Sequence, residues 1–350
     1  MRHLCLLGHA PSIHLRRWAM AMHERGFQVS VLSEADHPID GVPVTVLPPL
    51  GPTGWFGRVP AVRRELARLQ PDIVHAHYVT SYGMLGAVAT FGGRRPLVLT
   101  AWGSDILVSP KQNTAVRVLT GWTLRRAALI TADSRDVLDD IRTYRPRAEL
   151  AEVFWGADTT AFRPCAPAER HDGFHIASLR AWEPNYRIDT LVRAVALLRQ
   201  SGPVTLHLFG GGSGEAALRA LVGELGIADA VVWHGLIAPQ RLAAELARCD
   251  VSVSIPLSDA TSVSLLESMA CGLSVVVSDL PANRQWVSAE GGAVVDAAHP
   301  TAVAQALQGL RDDPAGRAQK GAHNRRLIVA QGSTASQMDH MATLYAALRA

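Results

Sequence analysis

"SDATSVSLLESMACGLSVVVSD", residues 258–279, is the stretch from which the rest of the chain can be read. It opens small, polar and acidic, acquires helical periodicity through Leu265, Leu266, Met269 and Ala270, and passes Gly272 into an unbroken apolar run. A helix stopped by glycine and followed by a strand without polar alternation is the pattern of a parallel sheet buried on both faces. Ser264, followed three residues later by Glu267, has the form of a capping box, and that alone would account for Glu267. Asp259 lies outside the predicted 264–271 helix and has no such account. Thr261, Ser262 and Val263 fall just ahead of that helix, where unpaired N–H groups and the positive dipole end favour an anion such as a diphosphate.

The same alternation runs through most of the 350 residues. Strand-like runs at 3–8, 28–33, 43–48, 72–77, 97–102 and 128–134 are separated by helical stretches, which predicts a parallel sheet covered on both sides. "FRPCAPAERHDG" (162–173) breaks the pattern with proline and charge, as a linker does. Strands at 174–179, 204–210, 230–235, 250–255 and 273–279 then alternate with further helices, and a helical tail follows from about 300. Two doubly wound Rossmann-like α/β domains are expected, 1–164 and 165–336, facing an interdomain cleft. Hydrophobic residues at 48% and charged residues at 19% suffice for ordinary cores. The net charge of +3 is too small to argue for nucleic acid. Cys5, Cys165, Cys249 and Cys271 show no paired spacing, so neither a zinc knuckle nor a disulfide framework is predicted. No window approaches 18 apolar residues, and the N-terminal apolar run is too short for a signal peptide. The expected location is cytoplasmic, with at most a peripheral contact at the inner membrane face.

Ligands of such sheets sit beyond the carboxyl ends of the strands, so the segments after each strand carry the chemistry. Gly210 and Gly211 open "GGGSGE", a loop that lets backbone approach a ligand and that a tight turn explains equally well. Arg180 follows a strand, where a guanidinium can clamp phosphate oxygens or simply sit at the surface. His75 and His77 are assigned to opposite faces of their strand, which argues against a two-histidine metal site; His77 is expected to face the cleft and His75 the core. Trp102 and Asp105 fall at another strand end, where an indole can stack on a sugar ring or serve as packing. A ligand with phosphates at the start of the 264–271 helix and hydroxyls on both sides would engage both Asp259 and Glu267, and a nucleotide sugar has that shape. No nucleophile triad or metal-binding motif is present, so a departing diphosphate would be neutralised by arginine and helix N-termini.

Taken in order, "PDIVHAHY", "TAWGSD", "WGADTTAFRP", "LFGGGSGE", "VVWHGLI" and the 258–279 stretch resemble the retaining nucleotide-sugar glycosyltransferases of glycosyltransferase family four, which have the GT-B fold. The most specific match is the pair of acids separated by seven residues and followed by a glycine-bounded strand. The resemblance implies an acceptor-binding first domain, a donor-binding second domain, and a C-terminal helix at about 337–350 packed back on the first. It implies that Glu267 holds ribose hydroxyls and that Asp259, where the family usually has Glu, contacts the transferred sugar. Thr261, Ser262 and Val263 would present amides to the diphosphate, with Arg180 beside them. The lysine expected about six residues later is missing; Tyr186 stands in that register with Arg187 adjacent. Trp102 replaces a histidine common near the donor sugar. Gly235 and Leu236 match a turn near the base, and Gly8 a loop facing the diphosphate. The implied reaction transfers a sugar to a hydroxyl or amine with retention, without metal or other cofactor, the departing phosphate taking the acceptor proton. Sugar, lipid-linked and small-molecule acceptors stay open. An inactive nucleotide-sugar-binding scaffold is the alternative, and an epimerase a third. "WFGRVPAVRRELARL" (55–69), with Arg58, Arg63, Arg64 and Arg68, reads either as a solvated helix face or as a contact with anionic lipid.

Overall fold

The computed structural model describes residues 1–49, 54–259 and 261–348. The chain divides into two compact units, Met1–Trp155 joined by the chain from Gln337, and Gly156–Ser336. The first contains β1 (His3–Leu7), β2 (Gln28–Ser33), β3 (Val44–Val46), β4 (Ile73–His77), β5 (Leu97–Ala101), β6 (Leu129–Ala132) and β7 (Glu149–Glu152), in the spatial order β3-β2-β1-β4-β5-β6-β7. The second contains β8 (His175–Ser178), β9 (Thr205–Phe209), β10 (Val231–Gly235), β11 (Val251–Ser254), β12 (Ser274–Ser278) and β13 (Gly292–Val295), in the order β10-β9-β8-β11-β12-β13. Every strand pairing is parallel. In both sheets the order reverses beside the first strand, so the switch points lie between β1 and β4 and between β8 and β11. Those are the places where a doubly wound sheet opens a ligand crevice.

β1, β4, β5, β6, β11 and β12 are buried throughout, the mark of sheets covered on both faces. β7 and β13, which the alternation did not predict, are edge strands and only partly buried. An edge strand needs less apolar sequence and therefore leaves a weaker pattern.

The units divide after Trp155 rather than at the proline-rich 162–173 stretch. Ala157 pairs with Ser333, its amide 2.8 Å from the Gly332 carbonyl. The Arg325 guanidinium binds the carbonyls of Thr159 at 3.0 Å and Phe162 at 2.8 Å, which holds this segment within the second unit. Composition marked irregular chain; packing decided which unit owns it. In the first unit the C-terminal helix is held by an Arg25–Asp339 ion pair at 2.8 Å and by the Tyr345 hydroxyl, which accepts from Trp18 Nε1 at 3.0 Å and meets His75 Nδ1. Among the described residues no helix is long and apolar enough to cross a membrane.

Candidate active site

At the β8–β11 switch point the structure brings together Arg180, Asp259, Ser262 and Ser264. The Val263–Ala270 helix begins one residue earlier than expected, and Ser262 is its N-cap, accepting from the Leu265 amide at 3.4 Å. Val263 is therefore the first helical residue, and Ser264 with Glu267 is not a capping box. Glu267 lies in the second turn, half-buried, and the local account of its presence falls away. Gly272 ends the helix with φ +73°; its amide reaches the Met269 carbonyl at 3.0 Å and the Leu273 amide reaches Ser268 at 3.2 Å, a Schellman closure that turns the chain into β12.

Arg180 is nine-tenths buried. It donates through Nη2 to Asp259 Oδ2 at 2.6 Å and through Nη1 to the hydroxyls of Ser262 and Ser264, the latter at 3.1 Å, with its guanidinium 4.3 Å above the Tyr186 ring. Its Nε and the hydroxyls of Thr261, Ser178 and Ser254 are buried without a hydrogen-bond partner among the described residues. Ser178 ends β8 and Ser254 ends β11. Unsatisfied polar atoms gathered at one strand end are the signature of a site that takes up a polar ligand.

Asn185 joins the two loops around this site: its carboxamide donates to the Ser258 carbonyl at 2.9 Å and accepts from the Ser258 amide at 3.2 Å, and its backbone carbonyl accepts from the Leu257 amide at 2.8 Å. Arg187 donates locally to Thr190 Oγ1 at 2.8 Å, and Tyr186, in the register of the missing lysine, stacks beneath Arg180. The glycine loop packs on the chain after β8. A Cβ on Gly210 would come within 2.8 Å of the Arg180 carbonyl, which is why glycine is needed there. The amide of Gly210 bonds the Gly235 carbonyl at 2.9 Å, and the Trp182 amide bonds the Gly211 carbonyl at 3.0 Å. The anion position on this loop is taken by Glu183, whose carboxylate accepts from the Ser213 amide and hydroxyl, both at 2.6 Å; those bonds hold its pKa below the ordinary value. Leu236 is 88% exposed.

At the β1–β4 switch point of the first unit the chemistry is different. His75 and His77 share a face, their ring centroids 4.3 Å apart, because residues two apart on a strand point the same way; the opposite-face assignment is corrected. His75 is a core residue, bonded to Tyr345 and, at 2.7 Å, to Thr100. His77 is buried, 5.0 Å from Trp18 edge-on and 5.9 Å from Trp102 in a stack, and neither ring nitrogen has a hydrogen-bond partner among the described residues. Burial first, then the charge of His14, lowers its pKa to about 3, so the ring is neutral near pH 7. Asp105 is not a sugar contact. It has no exposed surface and binds the amides of Val79 at 2.7 Å and Trp102 at 3.0 Å, fixing both loops. Burial raises its pKa to about 6 against those hydrogen bonds. Tyr78, next after β4, adopts φ +76°, a strained conformation for a side-chain-bearing residue at a site edge. Gly8 sits where a Cβ would meet Leu15 at 2.8 Å, a requirement of packing. In the 55–69 stretch Arg58 is buried against Trp55 and bonds the Pro48 carbonyl at 2.8 Å, Arg63 bonds the Val88 carbonyl at 3.0 Å, and Arg68 pairs with Glu65.

Residues 3–134 match the Glycosyl transferase 4-like family and residues 172–313 match the Glycosyl transferases group 1 family. The chain belongs to the group 1 glycosyltransferases. It is 26% identical over 355 residues to D-inositol 3-phosphate glycosyltransferase of Pseudarthrobacter chlorophenolicus, covering 89% of this chain and 84% of the relative. It is 28% identical over 263 residues to the GDP-mannose-dependent alpha-(1-6)-phosphatidylinositol monomannoside mannosyltransferase of Mycolicibacterium smegmatis, covering 69% and 68%. Among solved structures, HepE of Anabaena in complex with UDP superposes with a TM-score of 0.85 at 19% identity, over 99% of this chain and 100% of the other, which establishes the GT-B fold.

In this glycosyltransferase the sequence pointed to Arg180, Asp259 and Ser262 but not to their mutual bonding. Ser264 was read as a cap and is a ligand of the Arg180 guanidinium. Asn185, Trp18 and Tyr345 were missed. A carboxamide between a proline and an aromatic carries no motif, and an indole and a phenol 327 residues apart become partners only through folding.

Proposed function

We propose that this glycosyltransferase transfers a hexosyl group, with retention of anomeric configuration and without a metal, from a nucleotide diphosphate sugar bound by the second unit to a hydroxyl or amine of an acceptor bound by the first. Sugar transfer from a nucleotide sugar is the activity of the group; retention, metal independence and the residue roles are the proposal. The observation that carries it is Arg180: a buried guanidinium held at a helix N-terminus by a carboxylate and two hydroxyls, with Nε left over.

A donor diphosphate entering here meets three sources of positive potential: the guanidinium, the free amides of the first helical turn, and the helix dipole. It competes with Asp259 for Arg180. Released from the pair, the Asp259 carboxylate turns to hydroxyls of the sugar, while Glu267 takes those of the ribose. As the anomeric bond breaks, negative charge grows on the diphosphate, where Arg180 and the amides are already oriented, so they stabilise the transition state more than the ground state. The departing phosphate oxygen then accepts the proton of the attacking hydroxyl on the same face, which gives retention with no protein base. Gly210, Gly211, Gly235, Leu236, Tyr186 and Arg187 border the donor; His77 and Trp102 border the acceptor.

One relative acts with GDP-mannose and one structural neighbour holds UDP, so the test uses UDP-, GDP- and TDP-sugars with sugar, polyol and lipid-linked acceptors. Transfer with an axial product linkage by NMR, undiminished by EDTA, is the expected result. An inverted product, or loss of turnover on chelation restored by a divalent ion, overturns the mechanism; binding without turnover on every acceptor overturns the activity. Vesicle flotation with Arg63 and Arg64 reversed in charge separates lipid-linked from soluble acceptors.

A further inference from the structure

Away from the donor site, the second unit gathers imidazoles across three neighbouring strands. His175 opens β8, His207 lies in β9, His234 lies in β10, and His171 sits in the segment leading into β8. One ring nitrogen from each of His171, His175 and His207 lies within 4.8 Å of those of the other two. The rings are stacked, His171 lying 4.6 Å from His175 and 5.1 Å from His207 between centroids.

The hydrogen bonds around the cluster fix where the ring protons sit. His175 Nε2 lies 2.8 Å from the Asp172 carbonyl, which accepts only, so Nε2 carries the proton and Nδ1 presents a lone pair toward His207. Without a metal His207 Nε2 therefore donates to His175 Nδ1 at 2.9 Å, and a bound ion takes the place of that proton; the His207 Nδ1, 2.9 Å from His234 Nε2, carries the ring proton once Nε2 is a ligand. An outer partner of this kind, a backbone carbonyl on one ring and an imidazole on the next, is what fixes the tautomer of a metal-binding histidine. His171 Nε2 is buried with no hydrogen-bond partner among the described residues, and the nearest carboxylate oxygen, on Glu245, is 3.9 Å away. Burial lowers the pKa of His171 and that of His207, the latter to about 3, with neighbouring histidines and Arg248 adding to the effect. The His171 and His207 rings are therefore neutral near pH 7, the form that binds a metal.

We propose that His171, His175 and His207 bind a borderline divalent transition ion, zinc above all, with Glu245 or water as the fourth ligand, and that this ion fastens the segment entering β8 to β9. Three imidazoles with an oxygen donor match the preference of zinc for nitrogen-rich tetrahedral sites. Glu245 offsets the positive charge of Arg248. The site is separate from the sugar-transfer residues, and its occupancy does not rest on their proposed roles.

The test uses the full chain freed of any affinity tag and stripped with EDTA. Cobalt(II) is titrated as a spectroscopic substitute, zinc uptake is measured by mass spectrometry of the metal content, and the melting temperature is followed with zinc at about a hundredfold excess over its Kd. Wild type should bind one ion per chain, show the visible bands of a tetrahedral cobalt centre, and melt higher by on the order of 5 °C. His171→Ala leaves the His175–His207–His234 hydrogen bonds intact, so it should fold yet lose affinity by at least roughly tenfold along with the thermal shift. His340→Ala, an exposed histidine elsewhere, should behave as wild type. No uptake by the wild type, or equal uptake by His171→Ala and wild type, overturns the proposal.

Discussion

At the switch point of the second unit Arg180 lies in a web of Asp259, Ser262 and Ser264, while at that of the first His77 lies among Trp18, His75 and Trp102 with neither ring nitrogen bonded among the described residues. Both positions follow from the same strand order. One is furnished with charge, hydroxyls and a helix N-terminus, the equipment for a diphosphate; the other is neutral and aromatic, the equipment for the face of a sugar-like ring. Topology supplies the place and side chains supply the chemistry, and on the proposed function two copies of one architecture serve two halves of one reaction.

The largest break in this contrast comes from Arg180→Ala, which should lower kcat by about 10²–10³-fold, the range for removing a preorganised charge donor. It also removes the ion-pair partner of the partly buried Asp259 carboxylate, so the melting temperature must be read beside the kinetics. Arg180→Lys keeps the charge without the forked donors and should restore only part of the rate. Glu267→Ala should raise the donor KM by about tenfold, the worth of a charged hydrogen bond, with kcat little changed; steady-state kinetics against donor concentration decides this. His77→Ala should do the opposite, raising the acceptor KM by about fivefold and leaving the donor KM alone. A change in donor KM instead would erase the division of labour.

The two regions also differ in how they respond to acid. His77 in the first unit and His207 in the second have folded pKa values lowered to about 3, below the ordinary 6.5. The unfolded chain binds protons more readily there, so the stability they contribute is complete above pH 6.5 and is lost as the pH falls toward 3. Asp105, raised from 3.8 to about 6, acts in reverse: its contribution is complete below pH 3.8 and lost as the pH rises toward 6. Histidines with lowered pKa outnumber it, since His14, His75, His171 and His234 are shifted the same way. The melting temperature in EDTA should therefore fall by roughly 5 °C from pH 7 to pH 5, and His77→Phe should flatten the slope. The smallest effect belongs to Arg187→Ala: bonded only within its own helix turn, it should change the donor KM by less than about threefold. A larger loss would restore it to the phosphate clamp.

Much of the architecture was legible because it is local. Alternating buried strands and amphipathic helices print themselves on the sequence through side-chain periodicity, and the glycine stop at Gly272 and the acidic stretch around it could be read without coordinates. The edge strands β7 and β13 were not, for want of burial on both sides. Glu267 was ambiguous because a box such as Ser264–Glu267 depends on where the helix starts, and Ser262, two residues earlier, takes the cap. Asp105 was misjudged because an acid at a strand end looks the same whether it meets solvent or two backbone amides.

By itself, then, the sequence determined two parallel α/β units, the helix that follows β11 and the residue types gathered at the strand ends. Tertiary structure alone decided that Arg180 and Asp259, 79 residues apart, would bind each other, that His75 would meet both Trp18 and Tyr345, and that histidines from three separate segments would cluster. The reason is range: periodicity and capping are set by neighbours a turn or a strand away, whereas the partner of a buried charge or ring is chosen by the sheet that brings distant segments to one end.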